Sequence, residues 1–300
     1  MLWLIVIIAA YFLLALSDLG NKYLLAGPPN PKSYTFYVGT LSILAVGLIP
    51  FVDFGVPQPC QLLLALLSGA IYVSALYALY NALENFEVSR VTPAIGGILP
   101  LFTFALSWLF FGAQRQFEGR GILAFFLLLI GTVIITWQKE KIISRESLKI
   151  SILAALLFSI SFIFSKFVYL EQPFWQGFIW MRIGGFLIAI FLIFSKEVRK
   201  EIFGRKPSFS KKTGTIFLLT QSAGAGAFVL QNWAIALAAV VFLPVINALA
   251  GTQYIFLFLL ITFISLKFPK ILKERISRQI IFQKIFAILI IGIGLALLLL

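Results

Sequence analysis

The chain alternates long apolar runs with short polar breaks. Each run holds about twenty apolar residues, the length a helix needs to cross a bilayer. The pattern predicts helices at 2–25, 33–51, 60–83, 89–111, 119–137, 149–170, 174–195, 213–237, 239–266 and 281–300. Turn chemistry marks the breaks: Gly27-Pro28-Pro29 with Pro31, then Pro57 and Pro59, then Gly204 to Pro207. Between the eighth and ninth runs only length places a break, near Leu237 to Ala239. Strands of a membrane barrel would alternate apolar and polar positions over about ten residues, whereas these runs are continuous. The expected fold class is an all-α polytopic membrane protein of ten transmembrane helices.

The pattern repeats. "ALSDLGNKYL" (15–24) resembles "SISFIFSKFV" (159–168), with Ser17 over Ser161 and Lys22 over Lys166, an offset of 144. "YNAL" (80–83) matches "AIAL" (234–237) at an offset of 154. "LLLIGTVII" (127–135) resembles the closing "LIIGIGLAL" (289–297). The offset grows where the second half has longer loops, as in a duplicated unit whose spans keep their length. Five spans per half turn the second unit upside down relative to the first. Two inverted five-helix repeats are expected, 1–137 and 148–300, an architecture common among secondary transporters.

Composition agrees with a lipid solvent. Of the 300 residues, 61% are hydrophobic and 12% charged, against roughly 45–50% and about a quarter in soluble domains. The net charge is +13, but it does not form a nucleic-acid face. Nineteen of the 24 Lys and Arg lie in or beside the odd-numbered loops, against Arg115 and Arg120 beside the even-numbered ones. Positive loops stay cytoplasmic, so the odd-numbered loops are expected inside and both termini outside. The loop at 196–212, with Lys196, Arg199, Lys200, Arg205, Lys206, Lys211 and Lys212, is expected to fix this topology. Ala15-Leu16-Ser17 mimics a signal-peptidase site, yet no positive residue precedes the apolar run. The first segment is therefore read as a retained helix. A single cysteine, Cys60, and no histidine leave no intrachain disulfide and no thiolate or imidazole metal site.

The chain resembles the EamA-like family of the drug/metabolite transporter superfamily over nearly its whole length. The resemblance rests on the two five-span units, on "YNALENFEVSRVTPA" (80–94), on "ILPLFTFALSWLFFG" (98–112) and on "GRGILAFFLLLIGTVII" (119–135). It implies a metabolite carrier with a central cavity between the halves, in a prokaryotic inner membrane. The chain departs from the family pattern in three respects. Ala113 and Gln114 follow Gly112 where a Glu is usual, "NALAGTQY" (247–254) replaces a central Pro in the ninth span, and family members are usually described with cytoplasmic termini.

Candidate chemistry lies inside the spans. A charge at the bilayer centre costs at least ~2.5–3.5 kcal/mol, so it marks an interior, functional position. Arg182, near the middle of the seventh span beside Trp180, can grip a carboxylate or phosphate with two N–H groups, or pair with Asp18. Asp18 can carry a coupling proton or pair with Lys22 one turn later. Lys22 and Lys166, near span ends, are expected to snorkel toward the interface. Asn21, Tyr77, Asn81, Gln221, Asn247 and Gln253 complete the candidate substrate-binding set, each with an alternative role as interhelical glue worth about 0.6 kcal/mol. Pro100 and Pro244 are candidate hinges in spans four and nine, with Pro93 nearby. Gly224-Ala225-Gly226 reads as a close packing surface rather than a phosphate loop, since no strand precedes it.

These features point to alternating-access transport of a small polar or amphipathic metabolite. A lipid or lipid-linked precursor is the alternative cargo. An enzyme is not expected, for lack of a carboxylate pair or a nucleophile–base constellation, nor is a channel, for lack of a filter-like loop. No cofactor is expected. The expected partners are the substrate and the lipid bilayer, without nucleic acid, and monomer and homodimer are both left open.

Overall fold

A computed structural model describes residues 1–24, 31–86, 88–112, 119–137, 145–202, 211–267 and 278–299. Among the described residues every regular element is a helix. In order they are α1 (Leu2–Leu24), α2 (Pro31–Thr40), α3 (Pro59–Asn85), α4 (Val88–Phe111), α5 (Gly119–Thr136) and α6 (Arg145–Glu171). Then come α7 (Phe174–Phe191), α8 (Lys196–Ile202), α9 (Lys211–Leu237), α10 (Leu243–Ala248), α11 (Ala250–Lys267) and α12 (Arg278–Leu299). Nine helical stretches among the described residues are long and apolar enough to cross a membrane, which suits an integral membrane protein. The 27-residue α9 is not among the nine. Its side chains at 211–214 and 217 lie outside the described residues.

Two spans depart from plain α-helix. After Thr40 the chain tightens into a 3-10 helix over Leu41–Phe51. The Thr40 hydroxyl donates back to the Phe36 and Tyr37 carbonyls at 2.8 and 3.1 Å. Such back-bonding distorts a helix, and it coincides with the switch. The stretch expected as one helix at 239–266 is broken instead. A 3-10 turn at Val240–Phe242 leads into α10, and Leu249 separates α10 from α11. Pro244 stands at the start of α10, where its missing N–H leaves no bond unmade. Pro100 is buried within α4.

The helices pack in pairs. α1 lies against α9 and α3 against α6. Along α1 and α9 the facing positions run Gly20 to Thr220, Ser17 to Gly224 and Leu13 to Gly226. Along α3 and α6, Gln172 bonds Gln61, Ser68 bonds Ser161 and Ser165, and Tyr72 meets Phe158. One number rises as the other falls, so both pairs are antiparallel. The same holds for α5 with α12 and for α2 with α7. Lipid supplies no hydrophobic drive between helices, so small residues that let backbones close on one another carry the association. A Cβ on Gly69 of α3 would overlap the Met181 carbonyl oxygen of α7, and one on Gly184 would overlap that of Leu66. Large apolar side chains such as Phe51 and Phe282, 84% and 74% exposed, point outward. That surface needs a lipid environment.

Candidate functional site: an arginine at a crevice between helices

Arg182 sits midway along α7. The glycines at 184 and 185 bring the α3 backbone against α7 one turn away, so the long guanidinium side chain lies between helices. Its Nη2 donates to the Ser42 hydroxyl at 2.5 Å, and its guanidinium carbon lies 4.4 Å from the centre of the Phe228 ring of α9. A cation over an aromatic face gains about 0.5–2 kcal/mol. Among the described residues no carboxylate pairs with it. The described ion pair lies elsewhere, where Lys32 meets Glu197 at 3.1 Å and ties α2 to α8. There the Ser195 hydroxyl, the Glu197 backbone N–H and Lys32 together hold the Glu197 carboxyl down, to about 2.

Arg182 borders a narrow crevice of about 10 Å³, room for about one water. Ser68, Gly69 and Tyr72 of α3 face it from one side, and Ser161, Phe162 and Ser165 of α6 from another. Met181 of α7 and Phe228 and Asn232 of α9 complete the wall. The serines lock two helices: the Ser68 hydroxyl reaches the Ser161 carbonyl at 3.1 Å, and the Ser161 hydroxyl reaches the Ser68 carbonyl at 3.0 Å. Ser165 shares a proton with Ser68 at 3.0 Å and bonds the Ser161 carbonyl at 2.8 Å.

A second polar group lies apart from this crevice. Gln253 of α11 donates to the Asp18 carboxylate of α1 at 2.6 Å. Gln221 of α9 donates to the Tyr34 hydroxyl of α2 at 3.2 Å, and Tyr34 meets the Tyr80 ring edge-on at 4.8 Å. Asp18 lies within electrostatic reach of Tyr34, Tyr80 and Tyr254. Tyr72 and Tyr80 are two turns apart on α3, so that helix links the two groups.

The other sequence candidates take other places. Trp180 stacks on Phe54 and donates to the Gly55 carbonyl at 3.0 Å, which fastens the segment before α3. Asn247 of α10 is buried and donates to Thr103 of α4 at 2.8 Å. Asn81 receives the Asn85 amide at 2.8 Å near the end of α3. Tyr77 is half-buried on α3, away from the crevice wall. The side chains of Asn21, Lys22 and Pro93 lie outside the described residues, as does the whole of 203–210 within the basic loop. Lys166 does not snorkel. It is 3% exposed and donates to the Ile235, Ala236 and Ala238 carbonyls at 3.0, 3.0 and 2.6 Å. It thus satisfies the orphan carbonyls that end α9.

Sequence reasoning passed over Ser42, Ser68, Tyr72, Ser165 and Phe228. A serine or phenylalanine in an apolar helix has no distinguishing local signal; the glycines that bring α3 and α7 together were the available clue.

The described residues form an all-helical fold with nine helices long and apolar enough to cross a membrane, consistent with an integral membrane protein. No family model matches it, and no curated protein does. Twenty-seven solved chains match its fold. Among them is a crystal structure described only as that of a protein, at 16% identity and a TM-score of 0.66, over 98% of this chain and 94% of the other. At that identity the likeness shows a shared fold and nothing about activity.

Proposed function

We propose that the chain is a secondary transporter of the drug/metabolite type, carrying a small polar or amphipathic metabolite by alternating access through ten spans. The observation that carries this reading is Arg182: a permanent cation midway through a membrane helix, held by one hydroxyl and one ring, at a crevice where several helices meet. Such a charge is costly without a purpose, and a guanidinium binds carboxylate and phosphate well.

The helix pairing supports the inverted repeat. Exchanging spans one to five with six to ten turns the α1–α9 pair into the α6–α3 pair, and both pairs are present and antiparallel. The α2–α7 and α5–α12 pairs map onto themselves, and an upside-down copy requires each to be antiparallel, as both are. α9 supplies the tenth span, its polar residues turned toward partners inside the bundle.

Several pairings break the exchange, and the tightest of them is between α3 and α7. α3 and α7 cross in close contact at Gly69 and Gly184. Their counterparts, α9 and α2, hardly meet among the described residues beyond the Gln221–Tyr34 bond. In this reading α3 and α7 form a closed gate. α2 and α9 form its open counterpart and close on one another in the opposite state. The odd-numbered loops face the cytoplasm, and both termini face outward.

Reconstitution in vesicles with a panel of organic acids, amino acids and nucleotide sugars tests the proposal. Uptake of an anionic member is expected, reduced about tenfold or more by Arg182→Ala, the scale of a lost charge-assisted hydrogen bond. Uptake that Arg182→Ala leaves untouched removes Arg182 from the path.

A further inference from the structure

Among the residues that line the crevice the formal charge is that of Arg182. The Ser161 and Ser165 hydroxyls are engaged with carbonyls, and Ser68 with a carbonyl and with Ser165. The Ser68 and Ser161 carbonyls accept those bonds. Asn232 Oδ1 accepts the Tyr169 hydroxyl at 3.0 Å, and its amide gives one N–H to the Phe228 carbonyl at 2.9 Å. What remains on the charged and amide side chains is N–H donors, while the hydroxyls keep acceptor lone pairs. Among the described residues Arg182 uses one of its five N–H groups. Asn232 keeps a second N–H, and the Tyr72 hydroxyl makes no hydrogen bond there. No carboxylate lines the wall, and Phe162, Met181 and Phe228 give it an apolar floor.

From these donors and the single charge, the geometry points to an organic monoanion as the ligand: one carboxylate on an apolar body, with neither an ammonium nor a second acid. This deepens the transport reading and rests on it for the route the ligand takes. One carboxylate fills the guanidinium fork and neutralises the charge. An α-ammonium would lie beside that same guanidinium, a like charge with no carboxylate in the wall to neutralise it. A second carboxylate would enter the bundle with no cation to meet it. Either addition costs affinity, because unpaired charge deep in a membrane protein is expensive. As it stands the crevice has room for about one water, so in the transport reading such a ligand is admitted only when α3 and α7 part.

Four compounds of one shape test the assignment by isothermal titration of the detergent-purified full chain. They are 3-phenylpropionate, phenylalanine, which adds the ammonium, benzylmalonate, which adds the second acid, and 3-phenylpropanamide, which removes the charge. The expected result is binding of 3-phenylpropionate at least about tenfold tighter than each of the others. Tyr72→Phe is expected to weaken it severalfold while keeping the order, and Arg182→Gln to abolish its advantage over the amide. Should Arg182→Gln not fold, the comparison on the unaltered chain decides by itself. Phenylalanine or benzylmalonate binding as tightly overturns the assignment, as does failure of all four to bind. Binding of 3-phenylpropionate without its uptake into vesicles keeps the monoanion assignment and removes the transport reading.

Discussion

Arg182 and Lys166 both lie inside the helix bundle, and their surroundings give them different work. Lys166 has its three N–H donors placed on three carbonyls at the end of α9, so nothing of its charge is left to offer a ligand. Arg182 keeps most of its donors and faces open space. The first is a brace and the second a binding group. Replacing Lys166 by Met leaves the end of α9 without its donors, and charge-assisted bonds contribute about 1.5–3 kcal/mol. A fall in thermal stability of about that size is expected in detergent, with ligand binding by the folded fraction unchanged. An unshifted melting temperature would show that the brace carries no load. The sequence marked Lys166 as an intramembrane cation near a helix end. It could not say whose carbonyls it reaches, because the end of α9 is about seventy residues away and arrives only through packing.

At the scale of elements, glycine position decides how near two helices can come. Gly69 and Gly184 sit where α3 and α7 nearly touch, whereas an added Cβ on Gly292 of α12 meets nothing. Gly184→Ala forces the crossing apart and is expected to cost about 1–3 kcal/mol, the usual range for overpacking. Gly292→Ala is expected to be neutral or to stabilise by up to ~1 kcal/mol through helix propensity. Thermal melts of the two variants side by side check this, and equal melting temperatures would contradict the tight crossing. The helix lengths were legible, including the turn near Leu237 to Ala239, where α9 does end. The break at Leu249 was not: Asn247, Gly251 and Gln253 interrupt the ninth run there, but α9 carries the same kinds of residue and stays a single helix.

For the whole molecule, the proposed exchange of gates makes a geometric demand. If α2 and α9 close when α3 and α7 part, then paired cysteines placed on the facing surfaces of α2 and α9, in a Cys60→Ser background, should cross-link during turnover and arrest uptake in that state. Absence of any cross-link under all conditions would refute the exchange. Orientation is a separate matter, read from charge alone. A reporter fused to the C-terminus should report the outer side, and reversing the charges of 196–212 should disturb that placement. A cytoplasmic reporter signal in the unaltered chain would overturn the charge-based topology.

By itself the sequence determined that this is a chain of membrane-length helices. Twenty apolar residues in a row are a local property, and in lipid the backbone has to satisfy its own hydrogen bonds within the segment. Tertiary structure decided which polar groups meet. Arg182 finds Ser42, 140 positions away, and Asp18 finds Gln253, 235 away. Such meetings depend on the face each helix turns and the depth at which it crosses its neighbour, and those follow from the packing of small residues along the whole contact.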